Sequence, residues 1–403
     1  MSFENFITDI QEELKDLNQQ GLYKNEYPIC SEQAANIQVQ LSSGTEKMLN
    51  FCANNYLGLA NDPELKKIAI ETTEKYGLGT ASVRFICGTM DIHRQFERQI
   101  ADFLGYEDAI SFSSCFAANN GIFSALFNEN DAIISADLNH ASLIDGIRLC
   151  KAKRFFYKFD DMQDLELKIQ QALASGSKYR LIVTDGVFSM DGDIAKLPEI
   201  VTLAEKYNCF IMVDDSHATG FIGKTGKGTP ELFNLGADRI HLISSTLGKA
   251  LGGAAGGFIV AKKEIIEKLR NKARPYLFSN NISPAIAATS IGALEILKNR
   301  KELLKNLTQN TTYFRQAMVE AGFNIREGIH PIVPVMLFDA QKAALLAKKL
   351  IEEEKIYVIS FSFPVVPKNE ARIRVQISAA HTHKDLEMAV EAFKKVGEKL
   401  NLI

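Results

Sequence analysis

Between residues 108 and 261, short apolar, β-branched runs alternate with longer stretches in which apolar positions recur every three or four residues. The runs "DAISF" (108–112), "DAIISA" (131–136), "RLIVTD" (180–185), "CFIMVDD" (209–215), "RIHLISS" (239–245) and "GGFIVA" (256–261) read as buried strands. The stretches "DIHRQFERQIADFLG", "DMQDLELKIQQALASG" and "KLPEIVTLAEKYN" read as helices. Strand then helix, repeated, predicts an α/β fold whose parallel strands are joined by crossovers and covered on both faces. Beyond about residue 285 long helical stretches take over, followed by "IVPVMLF", another helix, "IYVISFSF", "RIRVQIS" and a last helix, which predicts a small α+β domain. The expected division is 1–50, a helix and strand segment packing with the small domain, 51–285 as the large domain, and 286–403 as the small one. One long helix is expected to bridge the two.

Composition narrows the function. The chain has 403 residues, 46% of them hydrophobic, enough for a large core and more than one domain. A formal net charge of -3, with no basic run longer than "KAKR" at 151–154, argues against nucleic acid as the main partner. Cys30, Cys52, Cys87, Cys115, Cys150 and Cys209 are scattered with no C-x-x-C pair, which suits a reducing cytoplasm and neither a zinc cage nor a disulfide framework. The acidic, amphipathic N-terminus is no signal peptide, and no apolar run approaches the ~20 residues of a membrane span.

Nucleotide motifs fail on spacing. No strand is followed by G-x-G-x-x-G. In "GFIGKTGKG" the position five residues before Gly223 is Ala218, where a phosphate-binding loop needs glycine, and in "TLGKA" Ala250 replaces the Ser or Thr that would meet magnesium. What remains is a set of polar residues at strand ends, where ligands of open α/β sheets bind. His140 follows one run, Asp185 and Ser189 another, Asp214, Asp215, Ser216 and His217 a third, and Lys249 a fourth, amid glycines 248, 252, 253, 256 and 257. These parts meet the needs of pyridoxal phosphate: a lysine to hold its aldehyde as a Schiff base, a carboxylate for its ring nitrogen, and donors for its phosphate. Lys249, Asp214, and the donors around Thr246 and "SSCF" (113–116, with Ser114, Cys115 and Phe116) supply them, while His140 can stack on the ring and His217 donate to its oxygen. "HTH" at 381–383 invites a metal, but Thr382 with Asp385 reads as a helix N-cap, and no metal is assigned.

The segments "FCANNYLGLA", "ASVRFICGTMDIH", "SSCFAANNG", "DLNHASLIDGIRLCKA", "TDGVFSMDGDIA", "VDDSHATGFIG", "TLGKALGGAAGG", "RPYLFSN" and "ARIRVQISAAHT" together resemble the α-oxoamine synthases, fold-type I pyridoxal-phosphate enzymes. The resemblance covers essentially the whole chain and implies a mostly parallel seven-stranded sheet in the large domain. It implies Lys249 as the Schiff-base lysine, Asp214 as the ring-nitrogen partner, His217 as the ring-oxygen donor, His140 as the stacking ring and Ser189 as a ring-side hydroxyl. Backbone of Cys115 and Phe116, with Thr246, resembles the phosphate cradle, and Asn54 lies where a substrate contact is expected. A guanidinium suits an amino acid's carboxylate, yet Arg372 and Arg374 share one strand face, so the choice of Arg374 rests on the resemblance alone. Ser279 and Asn280 lie in the segment that in this family reaches across a two-fold axis, which implies a homodimer with shared sites.

Within the family the match implies a C-acyltransferase that interconverts glycine and acetyl-CoA with 2-amino-3-oxobutyrate and CoA during threonine breakdown. A synthase for another amino acid or acyl chain is the alternative, and a transient contact with a threonine dehydrogenase stays open. A pyridoxal-phosphate lyase or aminotransferase would share the lysine and aspartate without needing CoA.

Overall fold

A computed structural model describes residues 2–20, 22–363 and 365–403. The chain forms two compact units, the larger made of Asn54–Ser189 and Asp193–Lys305, the smaller of Met1–Ala53, Met190–Gly192 and Asn306–Ile403. The borders expected at 50/51 and 285/286 fall instead at 53/54 and 305/306. The second shift has a packing cause: the helix Pro284–Asn299 buries Ala287, Ala293, Leu294 and Leu297 and lies against the helices Pro63–Tyr76 and Asp91–Leu104 of the larger unit. The expected single long helix is two. It breaks at Arg300, whose backbone (φ -107, ψ 63) leaves the helical region and whose guanidinium reaches Asp62 at 2.5 Å and Glu64 at 2.6 Å. A second helix, Glu302–Glu320, follows.

The larger unit is built on seven strands: β1 (Asp108–Phe112), β2 (Ala132–Ala136), β3 (Lys153–Tyr157), β4 (Arg180–Asp185), β5 (Phe210–Asp214), β6 (Leu242–Thr246) and β7 (Gly257–Ala261). Their order is β1-β7-β6-β5-β4-β2-β3. Neighbours from β6 to β3 pair in parallel, whereas β7 is antiparallel to both β6 and β1. Every residue of β2 and β7 is buried, as continuous apolar runs covered on both faces should be. Edge strand β3, "KRFFY", has no such run: Lys153, Arg154 and Phe156 face solvent, which keeps an open edge from pairing with other chains. The antiparallel β7 follows from a short return. Leu247 N–H donates to Gly256 O at 2.9 Å, so the segment 247–256 folds back beside β6 without a crossover. Lys249 sits in that return.

In the smaller unit Asn36–Leu41 and Gly44–Asn50 form an antiparallel hairpin, joined in parallel by Ile356–Tyr357. A second antiparallel sheet holds Ile332–Phe338, Ala371–Gln376 and Ser360–Phe361. The expected strand "IYVISFSF" is thus split between two sheets. Thr382 caps the helix His383–Lys399 in a reciprocal pair with Asp385, as its sequence predicts. His381 is enclosed beside it: its Nδ1 accepts from Ser378 N–H at 3.1 Å, Nε2 lies 3.0 Å from Asn50 O, and the ring stacks on Phe51 at 4.3 Å.

Burial pulls His381 down to about 4, against an ordinary 6.5. The folded unit therefore rejects the proton that the unfolded chain takes up, so this stabilisation is complete above pH 6.5 and is lost as pH falls toward 4. Between pH 7 and pH 4.5 the loss is on the order of 2 kcal/mol. In urea unfolding, the stability advantage of the wild type over His381→Gln should shrink by that amount over the interval. An advantage independent of pH would show that His381 titrates normally.

Candidate active site

One cavity, about 220 Å³ in volume, opens where strands β1, β2, β4, β5 and β6 end, and all of its lining belongs to the larger unit. Its anionic cradle is backbone. Ser114 ends the β1 connection and caps the helix Cys115–Leu126, its Oγ accepting from Ala117 N–H at 3.0 Å. The first N–H groups of a helix have no intrahelical acceptor and carry a partial positive charge, so this turn, with Cys115 and Phe116 in the cavity wall, suits a phosphate. The helix start presses on β7 so closely that a Cβ at Gly257 would lie 2.3 Å from Cys115 N, and only glycine fits there. Opposite, Thr246 Oγ1 accepts from Gly248 N–H at 3.1 Å and donates to Gly256 O at 3.2 Å, tying down the return that carries Lys249.

Two acids at adjacent strand ends, Asp185 and Asp214, line the cavity. Asp214 is anchored through both oxygens: Oδ1 accepts from Ser216 N–H at 3.0 Å, and Oδ2 accepts from Asn119 Nδ2 at 2.6 Å and lies 3.7 Å from Cys115 Sγ. Burial, reinforced by the Asp214 charge, pushes Asp185 well above the usual carboxylate range. Burial and the same neighbour push the Cys115 thiol up, which keeps it a neutral wall group. Asp215 turns away from the cavity. Its carboxylate accepts from Thr229 N–H and Oγ1 and from Thr219 Oγ1, and burial raises it to about 6 against those donors.

His140, Ser142, Val187, Ser189, Ser216, His217, Thr246 and Lys249 also line the wall. His140 N–H donates to Asp185 Oδ2 at 2.9 Å, which fixes the ring's base. His217 Nδ1 lies 2.8 Å from Tyr56 Oη, and the same hydroxyl is 3.4 Å from Asn54 Oδ1. Asn54 is thus coupled to His217 without lining the cavity itself. Tyr56, fully buried, carried no signal in the sequence beyond its place in "NNYLG".

Ser279 and Asn280 are exposed and outside this cavity; Asn280 forms an isolated bridge with Val83. In the smaller unit the two arginines differ in their partners. Arg372 is fully buried in ion pairs with Asp191 and Glu370, whereas Arg374 is half-buried with its guanidinium 4.9 Å over the Phe361 ring.

A cradle of helix N–H groups, an anchored carboxylate across the cavity, an imidazole wall and a lysine on a glycine-rich strap fit pyridoxal phosphate in charge and donor set. Similarity to known proteins agrees. The chain is 50% identical to the 2-amino-3-ketobutyrate coenzyme A ligase of Escherichia coli K12 over 99% of both chains. It is 48% identical to the mitochondrial 2-amino-3-ketobutyrate coenzyme A ligase of Homo sapiens, over 96% of this chain and 91% of that one. It is also 47% identical to the 8-amino-7-oxononanoate synthase of Thermosipho melanesiensis, over 97% and 98%. Among solved structures, the serine palmitoyltransferase of S. paucimobilis with bound PLP and myriocin superposes with a TM-score of 0.92 at 27% identity over the whole of both chains. The model of the aminotransferase class I and II family matches residues 46–393. The chain belongs to that family, alongside the 2-amino-3-ketobutyrate coenzyme A ligases that are half identical to it.

Proposed function

We propose that this chain is a pyridoxal-phosphate-dependent acyltransferase that interconverts glycine and acetyl-CoA with 2-amino-3-oxobutyrate and CoA. The observation that carries the reading is the convergence of Lys249, Asp214, His140 and His217 on one cavity whose far wall is a helix N-terminus. Pyridoxal phosphate, when bound, supplies the electron sink that makes the glycine α-proton removable. Lys249 would hold the cofactor's aldehyde and, once released, take and return the proton at the glycine α-carbon. Asp214 would keep the ring nitrogen protonated, His140 would cover one ring face, and His217 and Ser189 would donate at the ring oxygen. The N–H groups of Cys115 and Phe116, with Ser114 and Thr246, would hold the phosphate. Arg374 would grip the substrate carboxylate bidentately, and Asn54 would contact the substrate.

A homodimer with shared sites belongs to the same proposal. The helix Phe3–Gln19 buries none of its residues in its own chain and turns Phe3 and Phe6 to solvent, and Ser279 and Asn280 are exposed, available to a second copy. Six free cysteines and the absence, among the described residues, of a helix long and apolar enough to cross a membrane are compatible with a cytoplasmic role in threonine breakdown.

The deciding experiment sets acyl-CoAs of increasing chain length against glycine, alanine and serine and identifies each product by mass. Glycine with acetyl-CoA should give the highest kcat/KM. A better rate with alanine and a longer acyl-CoA would move the chain toward the oxononanoate synthases, to which it is 47% identical.

A further inference from the structure

We infer that Asn119 is a positioning residue that sets two walls of the cavity at once: its one amide group orients the Asp214 carboxylate and, through Ser142, holds the His140 ring as the Nε2–H tautomer. The consequence for catalysis rests on the cofactor reading above; the geometry does not.

Asn119 is fully buried in the helix Cys115–Leu126, with Ala118, Ile122 and Phe123. An amide in such apolar company is costly unless it is hydrogen-bonded. Its Nδ2 donates to Asp214 Oδ2 at 2.6 Å and to Ser142 Oγ at 2.9 Å, which uses both of its hydrogens. Oδ1 is buried and has no hydrogen-bond partner among the described residues. That orientation is imposed by charge, since turning the amide over would set Oδ1 against the carboxylate.

Ser142 passes the constraint on. Its Oγ accepts from Asn119 through one lone pair, which orients the hydroxyl with its proton free to go to His140 Nδ1, 2.7 Å away. The Ser142 backbone N–H, which can only donate, also points at that nitrogen, at 3.3 Å, because His140 caps the helix Ala141–Arg148 with its own ring. Two donors converge on Nδ1, so Nδ1 presents a lone pair and the ring proton sits on Nε2. Burial holds His140 below the usual histidine range, opposed by Asp214 and assisted by Lys249; with Asp185, which accepts from the His140 backbone, these are the titratable groups around it. The two helices approach closely enough for this relay because residue 146 is glycine: a Cβ there would lie 2.6 Å from Asn119 O.

The test uses full-length protein, labelled with ¹⁵N-histidine and saturated with pyridoxal phosphate. The His140 signals are assigned by their loss in His140→Asn. Wild type should show His140 as Nε2–H alone. In Ser142→Ala one donor is gone. In Asn119→Ala the Ser142 hydroxyl is no longer oriented by Asn119 and can turn to accept from Nδ1–H, with only the longer Ser142 N–H contact still favouring Nε2–H. Both variants should show the two tautomers mixed. Asn119→Ala should also lose about 10- to 100-fold in kcat with little change in the KM for glycine, the scale of one hydrogen bond to a charged group. An Nδ1–H signal in wild type, or a pure Nε2–H signal in Asn119→Ala, would overturn the inference. Should Asn119→Ala not fold, Ser142→Ala, which removes a single oxygen, decides it by the same signal. Failure of the cofactor reading looks different: wild type would then lack the cofactor's visible absorption while the tautomer remained readable.

Discussion

Lys249→Ala should lower turnover by about 10³-fold or more while the protein still takes up pyridoxal phosphate, now removable by gel filtration. The argument is positional. Lys249 lies in the short return between β6 and β7, a segment closed by the Leu247–Gly256 hydrogen bond and by the Thr246 hydroxyl, so its ammonium is delivered to the cavity by a constrained strap. The phosphate cradle, Asp214 and His140 are on other elements and survive the change, which is why binding should persist. Covalent retention and the proton carrier are lost together. A variant with more than a tenth of wild-type kcat would refute both roles of the lysine. The same variant tests the shared site. Mixed with an inactive Ser279→Asp, Asn280→Asp double variant, it should regain activity, because in a two-fold dimer one site of each mixed pair inherits both defects and the other none. If each site is built from one chain, no activity returns.

Where chemistry depends on an unusual residue type at a strand end, the sequence is informative. Strand β4 matches "RLIVTD" residue for residue, and Lys249 stood out because five glycines surround it. Strand β3 was missed because an edge strand need not be apolar, and "KRFFY" carries its charge where edge pairing must be prevented. The helix break at Arg300 was missed for another reason: the contacts made there run to Asp62 and Glu64, more than 200 positions earlier, and no local pattern displays them. Arg84, quoted only as part of a family segment, proves to be a buried partner of Glu97 at 2.9 Å. The supporting residues Tyr56, Asn119 and Ser142 act through hydrogen bonds inside the fold, which no pattern of residue types along the chain displays. For Asn119 a signal did exist, an amide within the apolar stretch "CFAANNGIFSAL", since a buried amide implies a partner.

Asp214→Asn should keep much of the cofactor affinity and lose about 10²- to 10³-fold in kcat, the scale of removing one preorganised charge interaction from a closed site. Two effects act in the same direction. A neutral amide cannot hold the ring nitrogen of the cofactor protonated. Nor can it satisfy its surroundings, because the two oxygens of Asp214 accept from two groups that only donate, Ser216 N–H and Asn119 Nδ2. Whichever way the introduced amide turns, its NH₂ meets one of those donors. Asp215→Asn provides the control. Asp215 is fully buried but faces Thr229 and Thr219 instead of the cavity, so its replacement should cost stability, about 1–3 kcal/mol for the donors left unmatched, with a far smaller loss of kcat in the molecules that remain folded. The two variants therefore separate along different axes, one in kcat and the other in the urea midpoint. If Asp215→Asn proved the more damaging to kcat at equal folded fraction, the acid that serves the cofactor would be Asp215, and the cavity-facing placement of Asp214 would have another purpose.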